Sequence, residues 1–570
     1  MSDFPPPSDP GEPASPWTPP DGPYPPPAGS ANGDRTPAPP APPPPPPPRP
    51  ERQTIWGPEL PPPVPTGPPG PPPQFGYGVP GQPPHRPTPS VWRMLLPGAL
   101  LCLATVAAAV GVVVYAGSQD GDHPDEWDPR VAELVDFVEA ERGLTFDHPV
   151  HVDFLTSSEY SDSVRVDSGE LSEEDTESLE RDVAFLRAVG LAEGDVDPVE
   201  TMNDLADAGT LAYYDLVTRH VVVRGTELTV DVKATLVHEL THALQDQHFD
   251  LNGTQAEIDP DDEEAANDAF FGYQALVEGD AMRIESAYVL GLSEAERQEY
   301  VDAYSDSLAD AEEALTDVPS AMHAFGLVPY ALGSPLVDLI AAEGGNDAVD
   351  DAFEQLPSTA EHMLDPRSYL DGDEPAEPSD LDAPPLPDGV DEPTEEGITN
   401  AVDLYVILAE RIDPVVALDA ADGWGNGRWA TYDDDGRTCV RFQVASDTDD
   451  DAGQLEAALE EWVAASPDAA DTRLVEEGNV PLVESCDPGD AAVVANDRAL
   501  DVLQLPALRS QFMVEAVEFG GLDLDTAWDY GHCVVSEIDF QQLVDLQSIS
   551  DPAQVPPQVT ATIESCLDTA

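Results

Sequence analysis

The residues best placed to do chemistry are His238, Glu239 and His242, which lie within TVDVKATLVHELTHALQDQ, Thr229 to Gln247. If this stretch is helical, at about 100° per residue, the two histidines fall within roughly 40° of each other, one turn apart. Leu236, Leu240, Ala243 and Leu244 gather on the far side. The pattern predicts one buried apolar face and one face that carries two imidazoles. A zinc ion needs this geometry from two ligands on a single helix, and Glu239 between them is placed to handle a proton. The third ligand must come from another element. A long helix is expected from about Glu264 to Leu290, and on it Glu278 shares a face with Phe271, Ala275, Ala281 and Met282. A carboxylate on an otherwise apolar face is costly unless it is paired or bound to metal, so Glu278 is the candidate. Glu285, further along the same helix, is the alternative.

The elements that must position these groups flank them in sequence. LAYYD (Leu211 to Asp215) and HVVVRG (His220 to Gly225) read as a hairpin just before the histidine helix. The strand His220 to Arg224 is expected either to form the edge of a cleft, where an extended peptide could add as a further strand, or to be an ordinary sheet strand. Further upstream are a helix in RVAELVDFVEAERG, a strand in HPVHVDFL, and helices at Glu173 to Val189 and Val199 to Asp207. Downstream come a polar loop, LNGTQAEIDPDDEE, a helix from Arg297 to Leu315, and a helix from Tyr330 to Glu343 stopped at Gly344 and Gly345.

Composition divides the chain differently. Residues 1 to 93 hold 38 of the 63 prolines and show no apolar periodicity, so a disordered tail with local polyproline II is expected. Residues 94 to 117, MLLPGALLCLATVAAAVGVVVYAG, carry no charge and suffice for one membrane-spanning helix. Arg86 and Arg93 precede it and Asp120, Asp122, Asp125 and Glu126 follow it, which puts the tail in the cytoplasm and the rest outside the cell. The net charge of −90 argues against nucleic acid and anionic lipid surfaces as partners. An acidic, proline-rich linker at 374 to 397 separates an expected domain at 118 to 373 from an α+β domain at 398 to 570. Cys439, Cys486, Cys533 and Cys566 lie on the exported side, and pairing between sequence neighbours is expected in an oxidising compartment. Trp424 and Trp429 are expected in a core or at a hairpin corner.

At HELTHALQDQ and LVEGDA the chain resembles the gluzincins, zinc metallopeptidases with HExxH on one helix and a glutamate on the next. Residues 130 to 430 are similar to bacterial and archaeal membrane-anchored or secreted neutral zinc metallopeptidases, which share HELTHALQDQ, EGDA, a PST segment and a GWG stretch. The resemblance implies a mainly helical, zincin-like α+β domain with a small edge sheet. It also implies Zn²⁺ held by His238, His242 and Glu278, with Glu239 as general base toward a zinc-activated water that attacks a peptide or protein substrate. Met282 stands where that clan has an aspartate, leaving Asp280 or Asp246 to orient a histidine. Tyr288, Tyr273 and His323 are the candidates for a donor to the oxyanion. The rival expectation is a zinc-binding scaffold without turnover, working at the cell wall.

Overall fold

The structure is a computed structural model that describes residues 123–569 other than 167–170, 209, 259–262, 373–380, 476–479 and 548–554. The expected proline-rich tail, the membrane helix at 94–117 and the start of the linker lie outside the described residues.

The described chain is mixed α+β. It opens with helix α1 (Ala132–Arg142), strand β1 (His151–Leu155) and helices α2 (Ser157–Val164), α3 (Glu173–Val189) and α4 (Pro198–Asp207). Local chemistry sets their ends. Thr156 and Ser172 each form a reciprocal capping box with the acid three residues on, Glu159 and Asp175. Gly143 and Gly190 end α1 and α3 at φ of 78° and 84°, a region glycine enters without penalty.

Strands β2 (Ala212–Asp215) and β3 (His220–Arg224) then form a three-stranded sheet with β1, in the order β1-β3-β2. The strand His220–Arg224 is therefore central, parallel to β1 and antiparallel to β2, and is not a cleft edge. The crossover that brings β1 beside β3 spends both of its hydrogen-bonding sides. The edge nearer the histidines is β2.

The helical part follows as α5 (Val230–Phe249), α6 (Leu251–Glu257), α7 (Glu263–Gly291), α8 (Glu294–Ala314), α9 (Ser320–Gly344), α10 (Asn346–Glu354), α11 (Glu361–Leu364) and α12 (Pro366–Asp371). Part of the expected polar loop, LNGTQAE, is helical as α6. Helix α9 starts ten residues before the expected Tyr330 and runs through Pro329 and Pro335. Each proline removes a backbone donor, but Val328, Leu332, Leu336, Val337 and Leu339 are fully buried, and that burial outweighs the loss. By length and composition α9 could cross a membrane, yet most of it is buried within the protein, packed on α7.

The contact between α7 and α9 is set by glycine. A Cβ at Gly279 would lie 2.2 Å from the Gly333 carbonyl oxygen, and one at Gly333 would lie 2.2 Å from that of Ala275. The two backbones touch where any larger residue would hold them apart. This is why a glycine follows Glu278.

The remainder comprises β4 (Glu395–Ile398), α13 (Ala401–Ala409), α14 (Pro414–Asp422), β5 (Trp424–Asp433), β6 (Thr438–Ser446), α15 (Asp449–Ala465), β7 (Arg473–Val475), β8 (Leu482–Cys486), α16 (Ala499–Val502), α17 (Gln504–Glu515), α18 (Leu524–Glu537), α19 (Phe540–Gln547) and α20 (Pro557–Thr569). Its strands form an antiparallel sheet, β4-β5-β6-β8-β7. Trp424 and Trp429 are buried beneath it, their indole N–H groups donating to the carbonyls of Thr399 and Ile398 at 2.8 and 2.9 Å. Disulfides join Cys439 to Cys486 across β6 and β8, and Cys533 to Cys566 between α18 and α20. One hydrophobic core runs from Leu179 to Cys566 and takes in both sides of the 374–397 stretch. A smaller core joins α1, the first sheet and the inner face of α5.

Candidate metal centre

Helix α5 carries His238, Glu239 and His242, and its apolar side packs on α1 and the first sheet as the periodicity predicts. The opposite face is covered too. His238 and Glu239 are 0 % exposed and His242 is 1 % exposed, because α7 lies across them and Tyr330 of α9 stacks its ring 6.2 Å from that of His238.

Glu278 of α7 meets both histidines. Its Oε2 lies 3.1 Å from His238 Nε2 and 3.2 Å from His242 Nε2. The other nitrogen of each ring is occupied. His238 Nδ1 faces Glu285 Oε2 at 3.2 Å, and His242 Nδ1 faces Gln245 Oε1 at 3.0 Å. Gln245 Oε1 is an acceptor, so His242 carries its hydrogen on Nδ1 and turns a lone pair at Nε2 toward Glu278 Oε2, while His238 is hydrogen-bonded to the same oxygen through its Nε2. Three nitrogen and oxygen atoms that converge this closely need a proton or a metal cation between them. His242 Nε2 is among the buried atoms left without a hydrogen bond. The atoms of His238, His242 and Glu278 fall within 4.8 Å of one another, so the group can bind a metal ion, and two imidazoles with one carboxylate suit a divalent first-row cation.

The titration of the metal-free site reflects the same crowding. Burial pushes the Glu278 carboxyl up, but the His242 and His238 imidazoles hold it down at about 2. Burial disfavours a charged His238, yet hydrogen bonds to Glu278 and Glu285 raise it to about 10. Burial raises Glu239 to about 7, against the pull of His238 and His242. Its Oε2 accepts the backbone N–H of Tyr214 on β2 at 2.7 Å, while its Oε1 has no hydrogen-bond partner. Glu239 is thus anchored by one oxygen and free at the other, beside the two ligand-bearing turns of α5.

Of the residues expected at the site, His238, Glu239, His242 and Glu278 come together. Glu285, the alternative third ligand, lies instead on the outer nitrogen of His238. Asp280 and Asp246, the candidates for orienting a histidine, do not touch either ring. Asp280 accepts from Gln245 Nε2 at 3.0 Å, and Asp246 accepts the Tyr214 hydroxyl at 2.9 Å with Arg219 Nε at 3.4 Å. Among the oxyanion candidates, Tyr273 gives its hydroxyl to the Leu251 carbonyl at 2.9 Å, and Tyr288 packs edge-on against Phe137. The described hydrogen bonds and ring contacts of the three ligands do not involve His323.

Tyr330, Tyr214 and Gln245 were not read as site residues from the sequence. Tyr330 hydrogen-bonds Glu278 through its hydroxyl. Its position at the start of the YALGSPLVDL run carries no local mark of this role, and Gln245 is marked only by standing three residues after His242, on the same helix face.

A second group of possible ligands, Asp419, Asp422 and His532, is more exposed. Both oxygens of Asp422 are held by the Arg509 guanidinium, which leaves them committed to an ion pair.

Residues 398–511 match the family model of a domain of unknown function, DUF8575. They begin in β4 and end in α17, a helix that packs on α9. No curated protein and no solved structure matches the chain.

Proposed function

We propose that this chain is a zinc metallopeptidase of the gluzincin type, anchored by the uncharged apolar stretch 94–117 with its tail inside the cell and residues from 118 on outside. The observation that carries the reading is the convergence of both Nε2 atoms on one buried Glu278 oxygen, with His242 Nδ1 held by Gln245 and His238 Nδ1 facing Glu285. His238, His242 and Glu278 hold the ion in this reading. When bound, the metal supplies Lewis acidity toward a water and a peptide carbonyl.

The chain's own groups do the rest. Glu239 Oε1, buried and without a partner, takes the proton of the attacking water and delivers it to the leaving amine. The Tyr214 N–H keeps the other oxygen fixed, so that the carboxylate does not swing onto the histidines. The Tyr330 hydroxyl, held at Glu278, is the donor beside the developing oxyanion.

The test is a peptide-library digest with the chain, with its Glu239→Gln variant, and with metal content measured for both. About one zinc per chain in both, and hydrolysis in the first alone, is the expected result. Hydrolysis retained by Glu239→Gln would remove Glu239 from the chemistry, and a well-folded chain without metal would remove the whole reading.

A further inference from the structure

The contacts behind His242 reach well beyond the three ligands. Gln245 follows one turn later on α5 and is 0 % exposed. Its Nε2 can only donate, and it faces two acceptors, the Val277 carbonyl at 3.1 Å and Asp280 Oδ2 at 3.0 Å. The amide is therefore held one way round, with Oε1 turned to His242 Nδ1 at 3.0 Å. Reversed, it would set oxygen against both acceptors and lose two buried hydrogen bonds.

Asp280 is itself clamped on both oxygens, with Arg142 Nε 2.8 Å from Oδ2 and Arg283 2.9 Å from Oδ1. Arg142 comes from α1 and also pairs with Asp350 of α10 at 2.6 Å, while Arg283 also reaches Asn346 at 2.8 Å. An ionised carboxylate accepts and never donates, so Asp280 dictates which end of Gln245 it sees.

We propose that Gln245 is a positioning residue that fixes His242 in the tautomer with hydrogen on Nδ1, and that Asp280, clamped between Arg142 and Arg283, sets the sense of the Gln245 amide. The proposal rests on the metal reading of the site. It adds a charged cluster, assembled from α1, α7 and α10, that decides through one neutral amide whether His242 presents a lone pair to the ion. Such relayed contacts typically weigh about 10- to 100-fold in metal affinity.

The experiment is a Co²⁺ titration of the detergent-solubilised full chain, followed by ligand-field absorbance with chelator competition, alongside melting in chelator to confirm folding. Gln245→Met and Asp280→Asn should each weaken cobalt binding about 10- to 100-fold. In the double variant Gln245→Glu with Asp280→Asn, position 245 accepts from His242 whichever way its carboxylate turns and position 280 can supply it a donor, at the cost of the Val277 hydrogen bond. That variant should bind at least tenfold more tightly than Asp280→Asn alone, which a merely structural role for Gln245 does not predict. If Gln245→Met fails to fold, the comparison of the double variant with Asp280→Asn decides. Unchanged affinity in the single variants, or no gain in the double variant, overturns the proposal while leaving the metal reading in place. A full chain that takes up no cobalt removes both.

Discussion

Replacing Gly279 by alanine perturbs the ligand set without touching a ligand. The added Cβ would stand 2.2 Å from the Gly333 carbonyl oxygen, 2.5 Å from its carbon and 2.7 Å from Val337 Cγ2, where ordinary contact begins at 3.4 Å. The obstacle is helix backbone rather than a side chain that can turn away, so α7 and α9 must part by roughly 1 Å. Overpacking of this kind costs about 1–3 kcal/mol, and a Tm lower by a few degrees is expected. Glu278 is the next residue on α7, and metal–ligand distances tolerate only about 0.2 Å. The same shift also carries Tyr330 away from Glu278. Gly279→Ala should therefore lose at least about tenfold in metal affinity. The assays are elemental analysis, chelator competition and thermal denaturation followed by circular dichroism. Gly291→Ala is the control, since a Cβ at that end of α7 meets nothing within 4 Å. If Gly279→Ala matches the parent chain in both Tm and metal affinity, the close helix approach does not position Glu278.

Three more expectations follow from other parts of the molecule. Tyr330→Phe should keep its metal and lower kcat by about 100-fold, because it removes the hydroxyl at the reacting centre and little else; an unchanged kcat would return the oxyanion donor to the unassigned. Burial raises the Asp268 carboxyl to about 6, against hydrogen bonds from the Ala360 N–H and Thr359. The folded chain thus binds that proton more tightly than the unfolded one, so stability falls as pH rises from about 4 to about 6, by about 3 kcal/mol, and the loss is complete above. Asp268→Asn, which keeps an acceptor for Ala360, should flatten that decline in a Tm series across pH 3.5–7.5, and an unaltered slope would contradict it. Replacing both Cys439 and Cys486 by serine opens a link spanning 47 residues and should cost about 2–4 kcal/mol in denaturant unfolding, with no change in metal content.

How much of the site could be read in the sequence depended on the range of the interaction. Helix α5 and its two histidines were legible because a period of 3.6 places residues four apart on one face whatever surrounds them. Glu278 was legible for a related reason, as a charge on an apolar stripe needs a partner. The turn between β2 and β3 is an equally local statement.

Tertiary packing alone decided the rest. No periodicity shows that β1 inserts beside β3, and that insertion decided between the two expectations for His220–Arg224, making it an ordinary sheet strand rather than a cleft edge. The expected helix began at Tyr330, whereas α9 begins at Ser320, runs through Pro329 and Pro335 and, by packing on α7, carries Tyr330 to Glu278, 52 positions earlier in the chain. Which nitrogen of His242 faces Glu278 depends on Gln245, and Gln245 is oriented by Asp280, which pairs with Arg142 from 138 residues away. Residue types and spacing specify which groups are able to bind a cation. Whether their lone pairs point at it is set by hydrogen bonds that exist only once distant helices have packed.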